Sequence, residues 1–517
     1  MAFTAISLTF LRTFVIVCIT MVRPGVLNTT KIPLNMNVIQ TTKKTNFRWV
    51  ICAMLFFATT VNYLDRQALS LTWKDFIAPE FHWTNADYGK IAAAFSIMYA
   101  IANFFSGRII DWLGTRKGYL WAIGVWSAGA CLHALCGWAT EEYVGLSDAA
   151  QMVGAAGDVA ATVSMVSVWF FLAARVVLAA GESGNFPAAV KVTAEYFPKK
   201  DRAYATAIFN AGSTIGALIA PLCVPNLASY FKSIGVGNGW EMAFVVIGLL
   251  GFIWMGVWIF VYKPMQANKL VNAAERAYIL QDSQDDDEAG AKEAPKMSIM
   301  QCLKLRQTWA ILLGKFLTDG VWWFFLFWTP AYISDVYGYT SDTSMAQMLM
   351  FVLYAITMLS LYGGKLPTIF INRTGGNAYT CRMKAMLIFA LFPLLGLVAQ
   401  TLGAYSCWLT IIIIGIVGAA HQSWSANLFS VGSDLFPKSA VATITGINGM
   451  AGGLSSFLIN YLSGHLLDHV DAAQTVFCGF VGKEAGYFMI FCYCSVAYLA
   501  GWTVMKILVP RYMPVKE

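Results

Sequence analysis

Ionisable side chains interrupt several long apolar stretches of this 517-residue chain. Charged groups in such stretches are costly, and they usually face a protein interior or a watery cavity where they bind ions or ligands. Arginine offers a planar fork that holds a carboxylate by two hydrogen bonds, and a buried carboxyl beside an arginine can take up and release a proton. Five residues stand out, Asp65, Arg66, Arg175, Glu182 and Lys315, and Asp319 follows the last by one helical turn.

These charges have two interpretations. In the first, Arg66 binds the carboxylate of an anionic ligand, Arg175 and Lys315 are further candidates to bind it, and Asp65 and Glu182 carry protons. In the second, Arg66 and Arg175 only neutralise the two carboxylates and fasten helices together. The sequence alone leaves both open.

Uncharged polar and aromatic residues in the same stretches are candidates to bind a ligand with several hydroxyl groups. An apolar cavity would leave hydroxyls unpaired, whereas tyrosine and amide side chains pair with them, and tryptophan can stack on a sugar ring. Helix packing and interhelical hydrogen bonds explain any single one of these residues equally well. The candidates are Tyr63, Tyr99, Asn185, Gln422, Asn427 and Asn448 for hydroxyls, and Trp323, Trp328 and Trp424 for stacking.

The elements that must hold these residues are membrane-spanning helices. Hydrophobic residues make up 58% of the chain and charged residues 12%, against roughly 25% charged in a soluble domain. A helix needs about 20 apolar residues to cross the hydrocarbon core. We predict an all-α membrane protein of twelve transmembrane helices, spans 1 to 12, near residues 47–71, 88–110, 118–138, 164–197, 203–226, 239–262, 305–333, 345–366, 382–402, 408–435, 440–462 and 484–508.

Composition divides the chain into four parts. Residues 263–304 contain an acidic run from Gln281 to Glu288 that is too polar to enter a bilayer, and they are predicted to form a cytoplasmic linker. Residues 47–262 and 305–517 are then two six-helix halves. Residues 1–46 are an N-terminal extension, which is either a signal-like segment or an over-extended start with Met36 beginning the protein.

The two halves repeat each other in sequence. The segment Glu195-Tyr-Phe-Pro-Lys199 recurs 239 residues later as Asp434-Leu-Phe-Pro-Lys438, and a glycine-rich span follows each copy. Small residues predict close helix contact in spans 5 and 11, and duplicated halves predict a central cavity. His421 lies at the same offset from Glu182, so it is a candidate proton carrier or, equally, an interhelical hydrogen-bonding histidine.

Basic residues concentrate in alternate loops, which the positive-inside rule places in the cytoplasm together with both termini. The loop Thr140 to Ser164 lies on the other side, because it carries four acidic residues and no Lys or Arg. Its length leaves room for a short surface helix. The basic residues concerned are Arg108, Arg116, Lys117, Lys199, Lys200, Arg202, Arg373, Arg382 and Lys384.

Four motifs carry a family resemblance over residues 45 to 510. The loop Gly107-Arg-Ile-Ile-Asp111-Trp-Leu-Gly114-Thr-Arg116-Lys117 resembles the signature loop of the major facilitator superfamily. Segments in spans 1, 4 and 10 resemble the anion:cation symporters of that superfamily, especially bacterial hexuronate transporters. These segments are Asn62-Tyr63-Leu-Asp65-Arg66, Arg175 to Pro187, and Ala420-His421-Gln422-Ser-Trp424-Ser-Ala-Asn427.

The resemblance implies two pseudo-symmetric halves that open alternately to the two sides of the membrane. It implies substrate binding by Arg66 and a positioning or gating role for Arg175. The signature loop implies a cytoplasmic gate in which charge contacts hold helix ends together and glycines permit close approach. The gating residues are Gly107, Asp111, Gly114 and Arg116. The equivalent loop of the second half, Gly363 to Arg373, lacks the aspartate.

Other functional classes are poorly supported. No Gly-x-x-x-x-Gly-Lys-Ser/Thr pattern indicates a nucleotide-driven pump, no cysteine spacing indicates a metal site, and no basic arm indicates nucleic-acid binding. We expect no enzyme activity, no cofactor and no metal. We expect a monomeric, multi-pass carrier in lipid of the inner membrane that moves a hexuronate such as glucuronate or galacturonate together with protons. The alternatives are another organic anion, such as the aldonate galactonate or the aldarate glucarate, and a passive facilitator.

Overall fold

The computed structural model describes residues 45–281 and 297–515, except Gly364. Residues 1–44 of the N-terminal extension and residues 282–296, which hold most of the acidic run, lie outside the described residues. Within the described part nearly every residue belongs to a helix.

Twelve helical stretches coincide with the twelve predicted spans, which confirms the all-α membrane fold. Several stretches combine two or three helices. In order they are Phe47–Phe81, Asn85–Leu113, Thr115–Ala134 with Cys136–Val144, Gly157–Glu182 with Asn185–Tyr196, Lys199–Ser233, Trp240–Val261, Arg306–Tyr337, Ser344–Thr357 with Ser360–Gly363 and Leu366–Thr374, Ala378–Leu391 with Phe392–Leu395 and Gly396–Gly403, Cys407–Leu435, Lys438–Ala472, and Lys483–Leu508.

In the described ranges, nine of these stretches are long and apolar enough to cross a membrane, and a tenth qualifies if the bent pair that forms span 3 is counted as one. The other two are spans 8 and 11. Span 8 is interrupted between Thr357 and Leu366, near Gly363 and Pro367, both of which favour a helix break. Span 11 is rich in Gly, Ser and Asn because it packs closely on its neighbours.

Span 1 is longer than the sequence predicted. The helix continues past Leu71 through a π-helical turn, Trp73–Ile77, and a short helix, Ala78–Phe81. Lys74 and Asp75 suggested an end to the apolar segment, but both side chains find partners on the other half of the molecule.

Short elements complete the chain. The helix Ala149–Val153 confirms the prediction of a surface helix in the loop before span 4. Other short helices are Met265–Ala267, Ala273–Leu280 and Ile299–Leu303. A hairpin of two-residue strands, Val476–Phe477 and Phe480–Val481, pairs Val476 with Val481 before span 12.

Glycines bring the helix pairs together. A Cβ at Gly212 or Gly216 of span 5 would lie 2.4 Å from a backbone oxygen of span 1, and a Cβ at Gly453 of span 11 would lie 2.2 Å from Ala100 of span 2. No side chain fits at such distances, so the predicted close contacts of spans 5 and 11 are present. Span 11 thereby contacts the opposite half.

The linker helix Ala273–Leu280 is fastened to the start of span 1. The buried Glu275 carboxylate pairs with Arg48 at 3.0 Å and also accepts from the backbone N–H groups of Phe47 and Arg48 and from the Thr45 hydroxyl. A carboxylate at a helix N-terminus satisfies amides that have no partner within the helix and complements the helix dipole. The first part of the linker therefore belongs structurally to the first half.

Candidate functional site

The centre of the first half contains a buried ion pair between spans 1 and 4. The Arg66 guanidinium donates from Nε at 2.9 Å and from a terminal nitrogen at 2.7 Å to one oxygen of Glu182, Oε2. Arg66 is 2% exposed and Glu182 is fully buried. The other carboxylate oxygen, Oε1, receives no hydrogen bond in the described structure. The pair uses one carboxylate oxygen only, so it is less complete than a two-oxygen fork.

Asp65 and Arg175 lie in the same cluster with unsatisfied polar atoms. Both carboxylate oxygens of Asp65, the Nε of Arg175 and the amide of Asn62 lack a hydrogen-bond partner among the described residues. Asp65 lies within electrostatic range of Glu182, Arg175 and Arg66. Buried polar groups are normally hydrogen-bonded, and a buried carboxylate without donors is a marker of function rather than of stability.

Aromatic rings surround the Arg66 guanidinium. Its central carbon lies 4.8 Å from the ring centre of Tyr63, 4.6 Å from Tyr99, 5.7 Å from Phe95 and 5.6 Å from Trp323. These distances are those of cation–π contacts. Trp323 belongs to span 7, so the cluster of the first half reaches the second half at this ring.

The second half holds a separate buried ion pair on span 7. Lys315 Nζ lies 2.7 Å from Asp319 Oδ1 and 3.1 Å from the Ser425 hydroxyl of span 10. The ammonium also lies 5.0 Å from the ring centre of Phe429. Lys315, a candidate for the cargo carboxylate in the sequence analysis, is therefore paired with Asp319 in this structure.

His421 contacts the same pair. Its Nε2 lies 3.9 Å from Asp319 Oδ1, and its Nδ1 lies 2.7 Å from the Tyr498 hydroxyl. The imidazole stacks on Trp322 with ring centres 5.6 Å apart. His421 is thus an interhelical hydrogen-bonding residue, and its other ring nitrogen faces a carboxylate.

The remaining sequence candidates divide by whether their polar groups are already used. Asn185 accepts from Tyr119 at 2.8 Å, and the Asn427 amide donates to the Ser423 carbonyl within its own helix. The Oδ1 atom of Asn448 is buried and has no partner among the described residues, and Gln422 is half-buried. Trp328 and Trp424 are fully buried packing residues rather than stacking surfaces for a ligand.

One end of the bundle, here the closed end, fastens the two halves together. Lys74 of span 1 lies 2.8 Å from Asp335 of span 7. Asp75 accepts from the Ser341 backbone at 2.7 Å. Asp468 of span 11 accepts three hydrogen bonds from the first turn of span 2, from the backbone N–H groups of residues 85 and 86 and from the amide of residue 85, at 2.7 to 3.0 Å. The sequence analysis missed all three acids, because their partners are far away in sequence.

The opposite end, here the basic end, carries the signature loop. Asp111 pairs with Lys191 of span 4 at 2.7 Å, and Arg116 donates to the Ile259 carbonyl of span 6 at 2.6 Å. The expectation that Gly107 and Gly114 permit close approach is wrong in this conformation, because a Cβ at either position would meet nothing within 4 Å. Glycine is instead required at position 114 because the backbone φ there is +76°, which residues with a side chain rarely adopt.

A cavity of about 750 Å³ lies beside this loop, not beside Arg66. Arg116, Lys117, Lys191 and Arg202 line it, and Glu195 contributes a carboxylate that accepts hydrogen bonds from Thr115 and Tyr262. Within the described ranges no group of three or more His, Cys, Asp or Glu side chains is arranged to hold a metal ion.

Comparisons with known proteins agree with this architecture. A sequence model of the Major Facilitator Superfamily matches residues 55–460. A hexuronate transporter of Escherichia coli K12 is 30% identical over 424 residues, which is 82% of this chain and 88% of that protein. A galacturonate transporter of Dickeya chrysanthemi is 28% identical over 69% of this chain and 92% of its own length. A probable galactarate/D-glucarate transporter of Escherichia coli K12 is 25% identical over 88% and 95%.

Solved structures support the same fold. A bacterial homologue of the human lysosomal transporter Spinster, in an inward-facing and occupied conformation, has a TM-score of 0.66 at 17% identity over 92% of this chain and all of that one. A D-xylose-proton symporter has a TM-score of 0.59 at 15% identity over 91% and 98%. With the helix bundle and the signature loop, these matches establish that the chain belongs to the major facilitator superfamily and is a membrane transporter, not an enzyme.

Proposed function

We propose that the protein is a proton-coupled symporter that carries a hexuronate, such as glucuronate or galacturonate, across the inner membrane by alternating access. The observation that carries the proposal is the cluster of Arg66, Glu182 and Asp65, in which a buried guanidinium is held by one carboxylate oxygen and a second carboxylate has no hydrogen-bond donor. The names of the relatives, a hexuronate and a galacturonate transporter, support the substrate class.

Protons and anion would compete for the same arginine. When Glu182 takes up a proton, its hold on Arg66 weakens, and the carboxylate of the cargo can accept both guanidinium donors in its place. Binding of the cargo to Arg66 in turn favours the protonated form of Glu182, so each ligand eases the binding of the other. Asp65 and Arg175 supply a second carboxylate and cation within the same cluster.

The surrounding residues would fix the orientation of the sugar. Tyr63, Tyr99 and Trp323 present their rings beside Arg66, and the two tyrosines carry hydroxyl groups, which suits a molecule with an apolar ring face and several hydroxyls. Gln422 and Asn448 would pair with hydroxyls further along the path, whereas the amide of Asn427 is occupied within its helix.

Alternating access would exchange the contacts at the two ends of the bundle. The closed end is fastened here by Lys74, Asp335 and Asp468, so this conformer would release cargo toward the basic end. The positive-inside rule places the basic end, and with it both termini, in the cytoplasm.

The test is an uptake panel in cells that lack sugar-acid transport. Labelled galacturonate and glucuronate should accumulate above the external concentration when an inward proton gradient is imposed, and a protonophore should abolish the accumulation. Galactonate and glucarate in the same panel test the alternative substrates. Equilibration without accumulation would indicate a passive facilitator, and accumulation driven by sodium at uniform pH would overturn proton coupling.

The signature loop leads to a prediction about gating. Replacing Asp111 by Asn should slow transport several-fold while the amount of protein in the membrane stays the same. The Asp111 side chain is 73% exposed, so its pair with Lys191 contributes little to the free energy of folding. The expected effect is therefore on the transport rate, through the contact between span 2 and span 4. The exchanged pair Asp111→Lys with Lys191→Asp should recover part of the rate. A normal rate in Asp111→Asn would make the loop a topological signal only.

A further inference from the structure

The ion pair of Lys315 and Asp319 lies on the same face of span 7 as the Trp323 ring that touches Arg66. The three residues are spaced by four, which places their side chains on one stripe of the helix. At about 1.5 Å rise per residue, Asp319 lies about 6 Å from Trp323 toward the basic end. A six-carbon chain, with five C–C bonds of about 1.5 Å, spans about the same distance.

The far end of a sugar acid bound at Arg66 would therefore reach the level of Asp319. Span 11 contributes to this place as well, because a Cβ at Gly452 would lie 2.3 Å from Asp319 Oδ2, and Asn448 precedes that glycine by one helical turn. The buried Oδ1 of Asn448, which has no partner among the described residues, can accept a hydroxyl. The polar surroundings suit hydroxyl groups.

The charges of the buried cluster balance. The cations are Arg66, Arg175 and Lys315, and the anions are Asp65, Glu182 and Asp319, all less than 9% exposed. His421 is counted as neutral, because its buried ring is hydrogen-bonded to the uncharged Tyr498 and lies 3.9 Å from Asp319, beyond hydrogen-bond distance. One proton taken up with one monocarboxylate keeps this balance, whereas one proton with a dicarboxylate leaves a buried negative charge, which is costly in a membrane.

We propose that Asp319 is a specificity-determining residue that neutralises Lys315 and so restricts the site to cargo with one carboxylate. Without Asp319, the ammonium of Lys315 would have no carboxylate partner on span 7. It could then pair with the second carboxylate of an aldarate bound at Arg66. The inference rests on the proposed function, and it concerns the choice between hexuronates and aldarates, two substrate classes that the names of the relatives contain.

The experiment is competition against labelled galacturonate uptake by unlabelled galactarate, with unlabelled galacturonate as the reference. In the wild-type protein galactarate should compete weakly. In Asp319→Asn the ratio of the two inhibition constants should shift toward galactarate by at least about tenfold, because one unit charge within about 12 Å at an effective dielectric near 20 has that effect or a larger one. Lys315→Met should shift the same ratio in the opposite direction.

Two controls separate charge from structure. Asp319→Glu keeps the negative charge and should retain the wild-type ratio. The double variant Lys315→Met with Asp319→Asn restores the balance and should return to monocarboxylate preference, although it lacks both side chains. If Asp319→Asn does not reach the membrane, the opposite shift in Lys315→Met carries the test.

Several outcomes would overturn the inference. An unchanged ratio of inhibition constants in a correctly inserted Asp319→Asn would show that Asp319 does not set specificity by charge. If that variant does not reach the membrane, an unchanged ratio in Lys315→Met would show the same. A double variant that behaves like Asp319→Asn would also contradict the inference. Preference of the wild-type protein for galactarate would do the same while leaving anion transport in place. Transport of no sugar acid at all would remove the proposed function itself, and the inference with it.

Discussion

Exchanging Arg66 for lysine is expected to lower the affinity for a sugar acid by about ten- to hundredfold, although the positive charge is kept. The guanidinium donates two hydrogen bonds to Glu182 here, and the cargo carboxylate would accept the same two donors. A hydrogen bond to a charged group contributes about 1.5 to 3 kcal/mol, which is the size of the expected loss. An ammonium is a point charge and cannot reproduce the fork.

Arg66→Ala should be more severe, because it also leaves Glu182 buried without its cation, a change that typically costs about 3 to 5 kcal/mol. The measurement is the stabilisation of the purified protein against thermal unfolding by galacturonate, which reports binding even when transport is lost. Arg373→Lys, at an exposed position of span 8, is the matched control and should leave the affinity unchanged. Full affinity in Arg66→Ala would place the carboxylate at Arg175 or Lys315 instead.

Removing the carboxyl group of Asp65 or of Glu182 is expected to abolish accumulation of the sugar acid driven by a proton gradient. Asp65→Asn is nearly the same in shape, and the Asp65 oxygens accept no hydrogen bond from the described residues, so the substitution changes charge and proton binding with little loss of contacts. Glu182→Gln leaves Arg66 without its counter-ion, so anion binding should persist at a pH where the wild-type carboxylate competes for Arg66.

The measurement compares two modes of transport in proteoliposomes. Net uptake against a gradient requires proton movement, whereas exchange of internal for external cargo does not. Both variants should lose the first and retain the second. Asp158→Asn, exposed in the first turn of span 4, is the control and should retain both. Accumulation by both variants in response to an imposed pH gradient would assign coupling to sodium or to another residue, with His421 as the next candidate.

The fold could be predicted from local sequence because apolar length decides what enters a membrane. All twelve spans have their counterparts. Spans 1 and 11 extend furthest beyond the prediction, to Phe81 instead of residue 71 and to Ala472 instead of residue 462, and the extension of span 1 has a physical reason. Lys74 and Asp75 are too polar for a helix end in lipid, but Asp335 and Ser341 satisfy them from more than 250 residues away. Local sequence contains no information about such partners.

In the site as well, chemically important residues could be identified from local sequence, whereas contacts between distant residues could not. The residue types and the apolar surroundings of Arg66 and Glu182 identified them as chemically important, but 116 residues separate them, so their pairing could not be read from spacing. The pairing of Lys315 with Asp319 was readable, because a separation of four residues places two side chains side by side on a helix. The sequence analysis noted that Asp319 follows Lys315 by one turn, but it did not use this neighbour when it named Lys315 as a candidate for the cargo carboxylate.

The contacts at the closed end have a consequence for how the carrier meets its cargo from the two sides. In the proposed alternating-access cycle these ion pairs and helix caps would be lost in the opposite conformer, so the empty carrier is expected to face the basic end most of the time. Cargo arriving at the closed end binds only the minor conformer, and its apparent Kd exceeds the intrinsic value by the inverse of that fraction, about a hundredfold for a 1% population. Cargo arriving at the basic end bears no such penalty. In the proposed proton-coupled import, the proton would therefore have to favour the outward-facing conformer before the sugar acid binds.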